Sequence, residues 1–182
     1  MNALNQLELP ILHAINDALE CPLLDMFFSL ITKLGDHGIF WIVLALVLLC
    51  FKRTRRAGVS MAIALIIGLC VTNLGVKPLV QRIRPYIVDP SISLIIPPES
   101  EFSFPSGHTS TSFECAFVLL AYHRKWGIAA IVLSALIGFS RLYLMVHYPT
   151  DVIAGVIFGA VIAVLACYIG NFIVKKTKIP VL

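Results

Sequence analysis

The sequence predicts an all-α fold: an integral membrane helical bundle of about five transmembrane helices, preceded by an N-terminal interfacial amphipathic helix. Three observations predict it. Of 182 residues, 59% are hydrophobic and only 13% are charged, whereas a soluble domain carries roughly a quarter charged residues. The apolar residues gather in long continuous runs, as helices surrounded by lipid require. The basic residues cluster between alternate runs, as loops held on one side of a membrane do. The length suits one domain, with residues 1–36 as an interfacial segment, 37–174 as the helical core and 175–182 as a cytoplasmic tail.

Residues 1–20 place Leu4, Leu7, Ile11, Ile15 and Leu19 three and four apart, with Asn5, Glu8, Asn16, Asp17 and Glu20 mainly between them. This pattern predicts a helix lying in the membrane interface, its first turns interrupted by Pro10 and its end set by Pro22. Acids without a basic leading region do not suit a signal peptide. Leu23 to Leu34 is too short to span alone, carries Asp25 and Lys33, and ends at Gly35-Asp36-His37-Gly38. It reads as an interfacial or re-entrant lead-in.

Four or five spans are expected to follow. Ile39 to Phe51 is apolar but short, and must borrow residues from Gly35 onward. Ala57 to Val76 is the second, Ser106 to Tyr122 the third, Trp126 to Val146 the fourth and Thr150 to Val174 the fifth. In the fifth, Gly155, Gly159 and Ala163 recur every four residues, which suits close helix packing and equally suits small residues facing lipid. Cys21, Cys50, Cys70, Cys115 and Cys167 lack zinc-type spacing and read as buried thiols.

Five alternating spans put Lys52, Arg53, Arg55 and Arg56, then Arg124 and Lys125, then Lys175, Lys176 and Lys178 on one side. That side is cytoplasmic, with the N-terminus outside. Lys33, Lys77, Arg82, Arg84 and Arg141 then fall at the outer face, against the rule. So selective a breach points to function.

Three segments meet at that face. In Lys77-Pro-Leu-Val-Gln-Arg-Ile-Arg84-Pro85, two helical turns let Lys77 and Arg84 point the same way, as a point charge and a fork for one phosphate. Snorkelling to headgroups fits this segment alone as well. In Phe104-Pro-Ser-Gly-His108, Ser106 is a helix N-cap, Gly107 allows close approach of an anion, and His108 lies in the first turn. A plain capped helix fits that triplet too. From Ser140 to Asp151, Arg141 holds an anion, His147 is a nucleophile and Asp151 orients it through one ring nitrogen. Asp151 equally suits the first turn of a helix opened by Pro149.

These residues in this order resemble the type-2 phosphatidic acid phosphatase (lipid phosphate phosphatase) superfamily, which shares its core with vanadium haloperoxidases. The family pattern Lys-x6-Arg-Pro, Pro-Ser-Gly-His and Ser-Arg-x5-His-x3-Asp reads here as Lys77 to Pro85, Pro105 to His108 and Ser140 to Asp151. The chain looks like one of the small bacterial members, in the cytoplasmic membrane with its site facing outward. The resemblance implies catalysis by His147, His108 and Asp151. His147 forms a phosphohistidine, and His108 protonates the leaving oxygen and then activates water. It implies a phosphate cradle of Lys77, Arg84, Ser106, Gly107 and Arg141, with no metal and no cofactor.

The expected partners are the bilayer and a lipid phosphate: undecaprenyl diphosphate, phosphatidylglycerophosphate or phosphatidic acid, with the first favoured. Nucleic acid is not an expected partner, and oligomeric state stays open. The loop Tyr86 to Ser103, with Leu94-Ile-Ile-Pro-Pro98, is apolar enough to dip into the interface as a lip. Glu114, inside the third span, is expected to be structural. A small lipid or anion transporter would place its charges at mid-membrane and show repeats; a non-catalytic relative would lack part of the motif set.

Overall fold

The computed structural model describes residues 3–177; residues 178–182 of the expected tail, Lys178 among them, lie outside the described residues together with residues 1 and 2. Helix α1 (Ala3–Leu19) runs unbroken through Pro10, contrary to expectation. Proline removes one backbone hydrogen bond, and docking of Asn5, Glu8 and Leu12 into the protein holds the helix across that gap. Its amphipathicity is turned outward: Leu4, Leu7, Ile11 and Leu19 are exposed while Asn5 and Glu8 are buried. Where the surroundings are apolar, polar side chains gain by facing protein partners.

Pro22 opens α2 (Pro22–Lys33). A 3-10 turn at Asp36–Gly38, with His37 and Gly38 at φ 52° and 66°, joins it to α3 (Ile39–Cys50). The two helices bend by 41° at that turn and together have the length of one broken span or a re-entrant loop. Next comes α4 (Arg55–Gly68), which widens into a π-helical stretch at Leu69–Val76 and ends in the short α5 (Lys77–Val80). The wide turns lie just upstream of Pro78, which has no amide to donate. Gln81 at φ 51° stops the helix, and α6 (Pro85–Val88) follows.

The centre is α7 (Gly107–Tyr122), packed on α4, α8 (Arg124–Tyr143) and α9 (Pro149–Thr177). The small residues of α9 face this helix and not lipid. A Cβ on Gly155 would lie 2.9 Å from Thr109 Cβ, and one on Gly159 would lie 2.9 Å from Glu114 N. The apolar core beneath the site is built from Trp41, Met61, Val118, Leu119, Ile137 and Ile162.

By length and composition three helical stretches can cross a membrane, Arg55–Val88, α8 and α9, with the bent α2–α3 pair a fourth. The third expected span, α7, has 16 residues, roughly 24 Å at 1.5 Å per residue, short of the ~30 Å apolar core. Of the cysteines only Cys115 is buried; Cys50 and Cys70 are exposed on the outer surface of the bundle, and all five are free thiols.

Candidate active site

Lys77 and Arg84 do not share a helix face, because the helix ends at Val80. The left-handed turn at Gln81 sends the chain back across the end of the bundle. Arg84 is extended (φ −73°, ψ 154°), as a residue before proline prefers. Lys77 and Arg141 line a cavity of about 640 Å3 together with Gly107, His108 and His147. Arg84, only 1% exposed, reaches it from behind: Nη1 donates to His147 Nε2 at 3.2 Å and to the Val146 carbonyl at 2.9 Å.

After α8, Met145 turns the chain at φ 55° and presents His147 one turn before α9. His147 Nδ1 lies 3.4 Å from Asp151 Oδ2. Ser103 Oγ fits beside both, 3.3 Å from Nδ1 and donating at 2.5 Å to Oδ2. The Tyr148 amide donates to the same oxygen at 2.9 Å. A guanidinium can only donate, so Arg84 assigns the lone pair to Nε2 and the hydrogen to Nδ1. Burial, with Arg84 and Arg141 nearby, lowers the imidazole pKa to about 3 against the opposing pull of Asp151. His147 is thus a neutral base whose free lone pair faces the cations.

Opposite it, Ser106 caps α7, its Oγ accepting from Thr109 Oγ1 at 2.9 Å. That hydroxyl is fully buried and stands behind the cavity wall, as does Asp151. Gly107 is at the surface of the cavity; a Cβ there would come within 3.2 Å of Asn73 Oδ1 and 3.5 Å of Lys77 Nζ. His108 Nε2 lies 2.9 Å from Asp36 Oδ1. Gly35 lets the ring lie against the backbone, since its Cβ would be 3.1 Å from His108 Cγ. The one sequence signal for Asp36 was an acid between glycines at the end of an apolar run.

The loop before α7 supplies what residue spacing did not reveal. Glu99 Oε2 is 2.6 Å from Arg84 Nη2, its other oxygen pairs with Arg141, and Glu101 pairs with Lys77. Burial opposes ionisation of Glu99, but Arg141 and Arg84 outweigh it and hold its pKa at about 2. Two carboxylates therefore rest on the three cations. The loop expected as a lip is partly drawn inward, with Ile95, Pro97 and Pro98 left exposed. Ile92, Leu94 and Ile96 pack inward with Tyr86 on Phe28, Leu144 and Met145, and Ile95 is exposed at 44%. Over the cavity the loop lays Ile96, Pro97 and Pro98 together with Glu99, Ser100 and Glu101.

Arg82 pairs with Asp151 and Glu8 pairs with Arg82, and neither was expected there. Arg82 carried one signal, since it was among the bases that broke the charge rule. Glu114 is buried with neither oxygen hydrogen-bonded, pressed against Gly68 and away from the cavity lining.

The profile of the PAP2 superfamily matches residues 53–175. An undecaprenyl-diphosphatase of Sulfolobus acidocaldarius is 36% identical over 141 residues, 76% of this chain and 67% of that protein. A decaprenylphosphoryl-5-phosphoribose phosphatase of Mycobacterium tuberculosis is 33% identical over 143 residues, 78% of this chain and 77% of its own length. The crystal structure of a transmembrane PAP2-type phosphatidylglycerolphosphate phosphatase from Bacillus subtilis superposes with a TM-score of 0.76. It covers 95% of this chain and 89% of that one at 24% identity, and so shares the fold. Three motifs converging on one cavity and a matching profile over most of the bundle lead to one conclusion: this chain belongs to the PAP2 superfamily of membrane phosphatases.

Proposed function

We propose that this PAP2 lipid phosphatase cleaves a phosphate or diphosphate ester carried on a membrane lipid through a phosphohistidine at His147. One observation carries the reading: His147 Nε2 accepts from Arg84 at the edge of a cavity that also presents Lys77, Arg141 and His108. The Nε2 lone pair attacks phosphorus, a P–N bond forms and the P–O bond to the lipid breaks. The electron pair stays on the leaving oxygen, which His108 protonates. His108 then takes a proton from water, which attacks phosphorus and returns the P–N electron pair to Nε2. Asp36 holds the His108 ring, while Ser103 and Asp151 keep the hydrogen on Nδ1 of His147.

Lys77, Arg84 and Arg141, with the Gly107 amide, stabilise the phosphoryl oxygens as charge builds, the largest expected catalytic contribution, while Ser106 caps the helix that presents that amide. Glu99 and Glu101 hold these cations in the structure described. A phosphoryl group therefore enters by exchanging with them. Fixed cations supply what a divalent ion otherwise provides. A cavity at one end of the bundle suits a lipid headgroup, on an outward-facing site of a five-span protein in the cytoplasmic membrane. Relatives named for prenyl-linked phosphates favour undecaprenyl diphosphate among the candidate substrates.

The test is phosphate release by detergent-solubilised protein over a lipid phosphate panel, with chelator present. His147→Ala is expected to abolish release without unfolding, and orthovanadate to inhibit the native protein. Release that survives the substitution, or that chelator stops, overturns this chemistry.

A further inference from the structure

We infer that Glu8 and Arg82 are positioning residues for the His147–Asp151 pair, holding the Asp151 carboxylate so that one oxygen faces the imidazole. The inference rests on the nucleophilic role proposed for His147. Arg82 Nη1 donates to Asp151 Oδ1 at 2.6 Å and to Thr150 Oγ1 at 2.7 Å. Its Nε donates to Asn5 Oδ1 at 3.0 Å, Nη2 pairs with Glu8 Oε2, and the guanidinium lies 3.9 Å from the centre of the Tyr148 ring. Glu8 in turn accepts from the Thr150 amide at 2.7 Å and from the Thr150 hydroxyl at 2.9 Å. The carboxylate of α1 thus caps the helix that begins at Pro149 and carries Asp151 in its first turn.

The two oxygens of Asp151 have separate duties. Oδ1 is taken by Arg82, while Oδ2 meets His147, Ser103 and Tyr148. Rotation of the carboxylate would break the Arg82 bond, so that bond fixes which oxygen faces the ring. Charge explains the need for Glu8. Arg82 and Asp151 alone sum to zero, and an unopposed guanidinium would compete with His147 for the carboxylate. With Glu8 the trio keeps one net negative charge beside the imidazole, which gains positive charge as it attacks. The side chains of Glu8 and Arg82 are 6% exposed and that of Asp151 is not exposed, so water cannot replace a missing partner. None of the three lines the cavity, so they act through His147 and not on the phosphate. Asn5 and Glu8 also precede residue 53, where the family match begins. The N-terminal helix therefore completes the nucleophile's support.

The experiment uses full-length, detergent-solubilised protein and measures the single-turnover rate of phosphoenzyme formation from a lipid phosphate, per orthovanadate-binding site. Glu8→Gln and Arg82→Lys should each slow that step by about 10–100-fold, the cost usual for removing a supporting hydrogen bond behind a functional ligand. Orthovanadate affinity should stay unchanged. Adding Glu8→Gln to Arg82→Lys should cost little more, because Glu8 acts through Arg82. Native rates in the variants overturn the inference. So do fully additive losses, or a loss matched by weaker vanadate binding, which a merely structural role would give. A native protein that forms no phosphohistidine sinks the His147 reading itself, a result visible before any variant is made.

Discussion

Asp36 hydrogen-bonds to His108 and to no other group given a role in the proposed mechanism, which gives it a separable effect. Without the charge, the ring loses its fixed orientation and its support as an acid. Asp36→Asn should slow single-turnover cleavage of a lipid phosphate by roughly tenfold or more, part of the about 10²–10⁴-fold a positioned acid contributes. The same step with p-nitrophenyl phosphate, whose leaving group needs no proton, should be spared. Equal losses on both substrates would remove Asp36 from this role. His147 behaves differently because burial and two arginines keep it neutral, with a pKa of about 3. A histidine whose pKa is lowered on folding favours the folded state above the unfolded value near 6.5 and loses that ground as pH falls below it. Across neutral pH the proposed nucleophile is therefore already deprotonated.

Among the elements, the loop from Asp89 to Pro105 has the most direct control over binding. Ile92, Leu94 and Ile96 are seated in the bundle, and its acids lie on Arg84, Arg141 and Lys77. An incoming anion must displace Glu99 before it meets both guanidinium groups. Glu99→Gln should therefore tighten orthovanadate inhibition by about tenfold, since a charged hydrogen bond contributes about 1.5–3 kcal/mol and partial exposure discounts it. Weaker inhibition in that variant would mean that Glu99 assists the anion and does not compete with it. The packing of α9 on α7 through Gly155 and Gly159 serves the same site from below. It sets the distance between the helix starts that carry Asp151 and His108.

At the scale of the whole molecule, the basic loops and the site lie at opposite ends of the bundle in the proposed topology. Impermeant maleimide should label Ser93→Cys from outside intact cells in a background without native cysteines. Lys52→Cys should react only after permeabilisation. Reversed labelling would turn the site toward the cytoplasm. The bundle also explains why α7 can be short. It is enclosed by α4, α8 and α9, so partners other than lipid meet most of its length.

The sequence by itself determined the helical membrane class, the approximate extent of the helices and the three motifs that meet at one cavity. These were legible because each is a local pattern: an apolar run, a cap, or a spacing within about a dozen residues. It misread Pro10 and the burial of Cys50 and Cys70, because neighbours distant in the chain decided each of them. Only the tertiary structure brought Glu8 to Arg82, Asp36 to His108 and Glu99 to two arginines, across separations of 74, 72, 15 and 42 residues. A buried charge takes whichever partner the packing brings near, and spacing along the chain does not encode that.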